Sequence, residues 1–178
     1  MIEHKLLDVL RTFNEIEFSE FDKFLRSPFH NDGRNYSGVL KGLKKYYPAF
    51  DNKNFTKENL FRESYPGEKF NGNKINIAFS RMYKGALEFM AFNSLKTNDF
   101  ESNRLILTEL NRRKLYSRFD KLLNETANLI KPNSDFSERY FEEKSLLYRI
   151  AAEKIFSAEE VYTRKIEIAK RTEYTLYS

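Results

Sequence analysis

Few residues in this 178-residue chain could make or break bonds. It has two histidines, His4 and His30, and no cysteine. His4 falls in the first turn of the chain, and His30 follows Pro28-Phe29 in a segment that reads as loop. Neither belongs to an HExxH or ExxH pattern, so the ligand spacings of zinc proteases and di-iron bundles are missing. Without Cys, disulfides and thiolate metal sites are excluded. No grouping of Ser, His and Asp suggests a nucleophile with its base. The glycines form neither GxGxxG nor a P-loop, and Ser37-Gly38 and Lys41-Gly42 lack the strand-to-helix setting of a phosphate cradle. Acidic pairs stand at Glu142-Glu143 and Glu159-Glu160. Neighbours on a helix point about 100° apart, so neither pair converges on one substrate. We expect a non-enzymatic protein with no catalytic residues, metal or cofactor.

The basic residues carry the one specific alternative. Lys57 to Tyr65 reads as a helix, PGEKFNGN as a turn and Lys74 to Met90 as a second helix. Lys74 and Arg81 are seven residues apart and Lys84 is three beyond Arg81, so the three share a stripe opposite the apolar face. That stripe could meet phosphates, with the amides of Asn71, Asn73 and Asn76 near a groove. The alternative is thus a DNA-binding regulator using a helix-turn-helix-like hairpin over residues 57–90. The stretch is distantly similar to the recognition-helix region of bacterial winged-helix activators, without their strands or wing. Its turn of about eight residues exceeds the three or four usual in the motif. A helical hairpin with a solvated basic face is the simpler reading. Arg112-Arg113-Lys114, near Glu109 and Asp120, reads as a solvated bend.

The elements that would hold these residues can be read from Gly and Pro. No glycine occurs after Gly85, and Pro132 is the one proline after Pro66. The chain therefore divides into a punctuated head and a tail nearly free of the residues that most disfavour helix. In the head, Leu6, Leu7, Leu10 and Phe13 mark a helix over 2–13. Ser19 caps a short one over 20–26, with Phe21, Phe24 and Leu25 as its apolar side. Pro28 stops it, and 29–35 is loop. A third helix spans 36–46, where Gly38 and Gly42 either weaken it or let another backbone come close. Thr56 caps a fourth helix, to about Tyr65. A fifth runs from Asn73 to about Lys96, with Ile75, Phe79, Met82, Ala86 and Phe89 inward, and Asp99 caps the next helix.

In the tail, 100–131 holds two helices or one bent near Arg112. Another helix runs from the Pro132 loop to Phe156, with two apolar rows, Tyr140/Leu147/Ala151/Ile155 and Phe141/Tyr148/Ala152/Phe156. So wide a face suggests packing between neighbours. Ser157 to Glu160 fits the S-x-x-E capping box, opening a last helix with Val161, Tyr162, Ile166, Ala169 and Leu176. No segment alternates apolar and polar residues, and Val occurs at only 9, 39 and 161. The expected class is all-α with about nine helices, a compact head over 1–98 and a long-helix hairpin or bundle over 99–178. One continuous domain, or a piece of a longer helical protein, are the alternatives. Leu115/Tyr116 and Leu147/Tyr148 lie 32 residues apart, near a tetratricopeptide period. The Trp and Gly of that signature are missing, which favours a plain bundle.

Composition agrees with a packed protein: 17 Phe and 11 Tyr suffice for a core. The net charge of +5 is mild, weaker than the clustered excess of nucleic-acid binders. The N-terminus has charges at Glu3, Lys5 and Asp8 in place of an apolar signal region, and no run suits a membrane span. Cytoplasmic is the expected location. Four head motifs occur together: FDKFLRSPFHN, KKYYPAFD, FTKENLF and YPGEKFN, with AFSRMYKGALEFM beyond them. The arrangement resembles a family of uncharacterised all-helical proteins of Bacteroidetes-type bacteria, over roughly residues 5–95. The resemblance implies a bacterial cytosolic helical protein and brings no activity. The function expected is protein–protein interaction or scaffolding. Its candidate partner surface is Tyr162, Ile166, Ala169 and Leu176, meeting another protein or a second copy.

Overall fold

A computed structural model describes residues 2–31, 36–130 and 138–157. Among these, all regular structure is helical, in nine helices with no strand. The all-α class read from the Gly/Pro split is the class the chain adopts.

Helix α1 (Lys5–Thr12) starts at His4, whose Nδ1 accepts the Leu6 N–H at 3.1 Å. Helix α2 (Glu15–Arg26) begins five residues before the expected start at 20. Its cap is Asn14, not Ser19. The Asn14 side chain accepts from the Ile16 and Glu17 amides, both at 2.9 Å, and Glu17 accepts the Asn14 N–H at 2.8 Å. Two orphan donors satisfied reciprocally outweigh one hydroxyl cap. Pro28 ends α2 but opens the single turn α3 (Pro28–Asn31), where loop was expected. Helices α4 (Ser37–Lys44) and α5 (Lys57–Ser64) come next, with Thr56 capping α5 as expected through the Asn59 N–H at 3.2 Å.

Helix α6 (Gly72–Lys96) is the longest described. Helix α7 (Asp99–Arg112) is capped by Asn98, which accepts the Glu101 N–H at 3.1 Å, so the cap lies one residue before the expected Asp99. The basic run then separates two helices. Lys114 takes a left-handed φ of 58°, and the Lys114 and Leu115 amides both reach back at 2.9 Å to the carbonyls of Asn111 and Leu110. This pair of bonds is the Schellman stop, here with Lys where Gly is usual. Helices α8 (Tyr116–Leu129) and α9 (Glu138–Ser157) complete the described chain.

The chain forms two compact units, Met1–Ser94 and Leu95–Ser178. The first buries an aromatic core that includes Leu10, Phe21, Leu43, Phe61 and Phe79. Within it Phe13 meets Phe21 edge-on at 5.6 Å, and Phe21 meets Phe89 at 5.5 Å. The second unit packs α7, α8 and α9 on one another around Phe100, Leu107, Phe119, Ile130, Leu147 and Ile150. Each such side chain contributes roughly 1.5–3 kcal/mol when fully buried. The wide apolar face expected of α9 is covered on one side only. Leu147 and Ile150 are buried, whereas Phe141 and Tyr148 are 58% and 70% exposed. Ile150, outside both expected rows, takes the inner place.

Candidate functional site

The hairpin with the basic stripe is built by α5, the turn 65–71 and α6. α5 is held against α4 by close approach at two glycines. A Cβ on Gly38 would stand 2.9 Å from the Ser64 carbonyl oxygen, and one on Gly42 would stand 2.6 Å from Leu60 Cδ1. The glycines four residues apart therefore bring the two helices together.

In the turn, Gly67 takes a φ of 82° and the Glu68 N–H reaches the Tyr65 carbonyl at 3.2 Å. The Asn71 side chain accepts the Lys74 N–H at 3.2 Å, fixing the start of α6. Phe70 packs edge-on against buried Phe61 at 5.5 Å. These contacts bring Lys74 back over the turn. Its ammonium bonds both Glu68 carboxylate oxygens, at 2.7 and 2.8 Å, and lies 3.9 Å from the centre of the Tyr65 ring. Burial raises the Tyr65 hydroxyl pKa above its ordinary value, with the Lys74 charge acting in the opposite direction.

Of the three stripe residues, Lys74 is thus engaged by the turn. Arg81 and Lys84 are exposed further along α6, as are Asn73 and Asn76. At 100° per residue, that outward side also carries Ile77, Leu87 and Phe92. They are 56%, 44% and 55% exposed. The helical spacing of Ile75 to Phe89 identified the inner face of α6 and left this outer one unread. Its signal was Ile77 and Phe92 falling off the inner stripe.

The histidines have local partners. His4 caps α1 and meets Phe79 edge-on at 5.3 Å. Its pKa lies below the ordinary value, first through burial and then through the charges of Lys5 and Lys57. His30 stacks on Phe24 at 3.8 Å. In the basic run, Arg112 and Arg113 both bond Glu109, each at 2.6 Å, which holds that carboxyl at about 2. Glu109 offsets part of the cluster's charge where the chain bends, in line with its reading as a solvated bend.

In the second unit an apolar cleft of about 180 Å³ lies between α8 and α9. Leu123, Ala127, Ile130, Leu147 and Tyr148 form its walls, and Lys144 stands at one side. The Lys144 ammonium reaches the Tyr140 hydroxyl at 2.7 Å. The expected partner surface, Tyr162, Ile166, Ala169 and Leu176, lies outside the described residues.

Among the described residues no helix is long and apolar enough to cross a membrane. Compared with known proteins, this all-helical chain matches no family model, no curated protein and no solved structure.

Proposed function

We propose that the chain is a non-enzymatic helical interaction module that binds another protein through the outer face of α6. The observation that carries this reading is that Ile77, Leu87 and Phe92, spread over the outward side of a single helix, are each about half exposed. Removing the rest of their surface from water contributes on the order of 3 kcal/mol in total. Association itself costs at least about 4 kcal/mol. These residues therefore belong to a larger contact, and the complex it supports is an exchangeable one. Lys84, exposed on the same side of α6, favours a partner helix carrying a carboxylate at that level.

A photo-reactive amino acid at position 87, introduced in cells of the source organism, tests the reading, with position 53 as an exposed control. Discrete protein adducts from position 87 and none from position 53 are expected. An adduct of twice the chain mass identifies a second copy as the partner. Adducts sensitive to nuclease would replace this reading with the DNA-binding one through Arg81 and Lys84. No adduct from position 87 refutes both.

A further inference from the structure

We propose that the apolar cleft between α8 and α9 binds a medium-chain carboxylate, an unbranched apolar tail with one acidic head. Two features carry the site. One is a narrow hollow between two helices, and the other is a lysine beside it that has no acidic partner among the described residues.

The hollow follows from residue size. Its walls include Leu123, Ala127 and Ile130 from α8 and Leu147, Tyr148 and Ala151 from α9. Residues three and four apart share one side of a helix, so each wall is a single helix face. Ala127 and Ala151 carry one methyl each, and the space between the walls stays open where longer side chains would close it. From Lys144 to Ala151 the lining extends about 10 Å along α9. An extended chain of about eight carbons has that length. An apolar cavity of about 150 Å³ holds benzene, so the cleft of about 180 Å³ has room for such a tail.

The two ends of the cleft differ in charge. Beyond Ala151, Lys154 pairs with Asp120 from one helix to the other, so that cation has its counter-charge in the protein. At the other end the Lys144 ammonium donates to the Tyr140 hydroxyl at 2.7 Å and lies 4.9 Å from the centre of its ring. Tyr140, one turn earlier on α9, packs against the second cluster and so fixes the ammonium beside the cleft. The neighbouring acid Glu143 is engaged by Arg139 at 2.7 Å. Among the described residues no carboxylate pairs with Lys144. One ammonium balances one negative charge, which favours a carboxylate head over a phosphate. Charge-assisted bonding to Lys144 orients the ligand, and its tail runs past Leu147 and Tyr148 toward Ala151 and Leu123. This site is independent of the contact proposed for α6.

Titration of the isotope-labelled full chain with sodium octanoate, followed by amide NMR shifts, tests the proposal. Saturable shifts at Leu123, Ala127, Leu147 and Ala151 are expected. 1-Octanol has the same tail length without the charge and should bind at least about tenfold more weakly. Lys144→Met should lower octanoate to the affinity of octanol and leave octanol unchanged. Ala151→Leu should fill the hollow and remove both, with helix content by circular dichroism as in the wild type. Equal affinities of the wild type for the two ligands would overturn the proposal, as would a Lys144→Met variant that keeps their difference. Shifts that fail to saturate, that centre on Ile77, Leu87 and Phe92, or that are missing from the cleft overturn it as well.

Discussion

At the residue scale the sharpest consequence concerns His4. It caps α1 with Nδ1 as acceptor, so the cap exists only while that nitrogen is unprotonated. Its folded pKa lies below the ordinary 6.5, through burial and then the charges of Lys5 and Lys57, against a smaller opposing effect of Asp8. Linkage gives the sign. The unfolded chain takes up the proton first as pH falls, so the stability contributed by neutral His4 is complete above about 6.5. It is lost as pH falls through the lower folded value. Urea unfolding of the wild type and His4→Asn between about pH 8 and 5 isolates the effect. Asn keeps a capping oxygen without titrating, so the variant should lose less stability on acidification than the wild type. Parallel curves would mean that His4 plays no such part. The sequence showed His4 as a lone histidine. Its role could not be read from spacing, because it depends on the extended backbone of residue 4 and on a ring contact with Phe79, distant in sequence.

At the scale of elements, the contact between α4 and α5 is where packing overrides propensity. Replacing helical Gly by Ala usually gains about 1 kcal/mol. At Gly38 the added methyl meets a backbone oxygen at 2.9 Å, which cannot rotate away. Overpacking of this kind costs roughly 1–3 kcal/mol, so Gly38→Ala should be destabilising by about 1 kcal/mol net. Gly72→Ala, where the nearest atom stands at an ordinary 3.5 Å, should show no loss. Equal unfolding midpoints for the two variants would remove the close approach as an explanation for the glycine pair. Both readings of that pair were present in the sequence, and the contact with Ser64 decides between them. Other elements show where pattern runs out. A helix expected to begin after Ser19 leaves out Phe18, which is 2% exposed, because the Asn14–Glu17 capping box opens α2 five residues earlier. The two rows of α9 were visible as apolar residues, but periodicity does not report which row a neighbour covers. Likewise Lys74 belongs to the basic stripe by spacing, and only the path of the turn brings Glu68 to it.

At the scale of the molecule, the described residues form two separate hydrophobic clusters, one under α1, α2, α4, α5 and α6 and one among α7, α8 and α9. Separate cores imply that damage stays local, since substitutions without shared partners act independently. Leu10 and Phe119 are each fully buried, one in each cluster. Leu10→Ala should cost about 2–5 kcal/mol and Phe119→Ala about 3–5 kcal/mol. Amide hydrogen exchange reads where that loss falls. Phe119→Ala should speed exchange throughout α7, α8 and α9 while leaving α1, α2, α4 and α5 at wild-type protection, and Leu10→Ala should do the reverse. Helix α6 is the informative exception, because it runs through the boundary between the units and ends at Lys96. Its residues from Ile75 to Phe89 belong to the first cluster and should respond to Leu10→Ala. If either substitution instead lowers protection equally in both clusters, the chain unfolds as one cooperative body and the two cores are one in energetic terms.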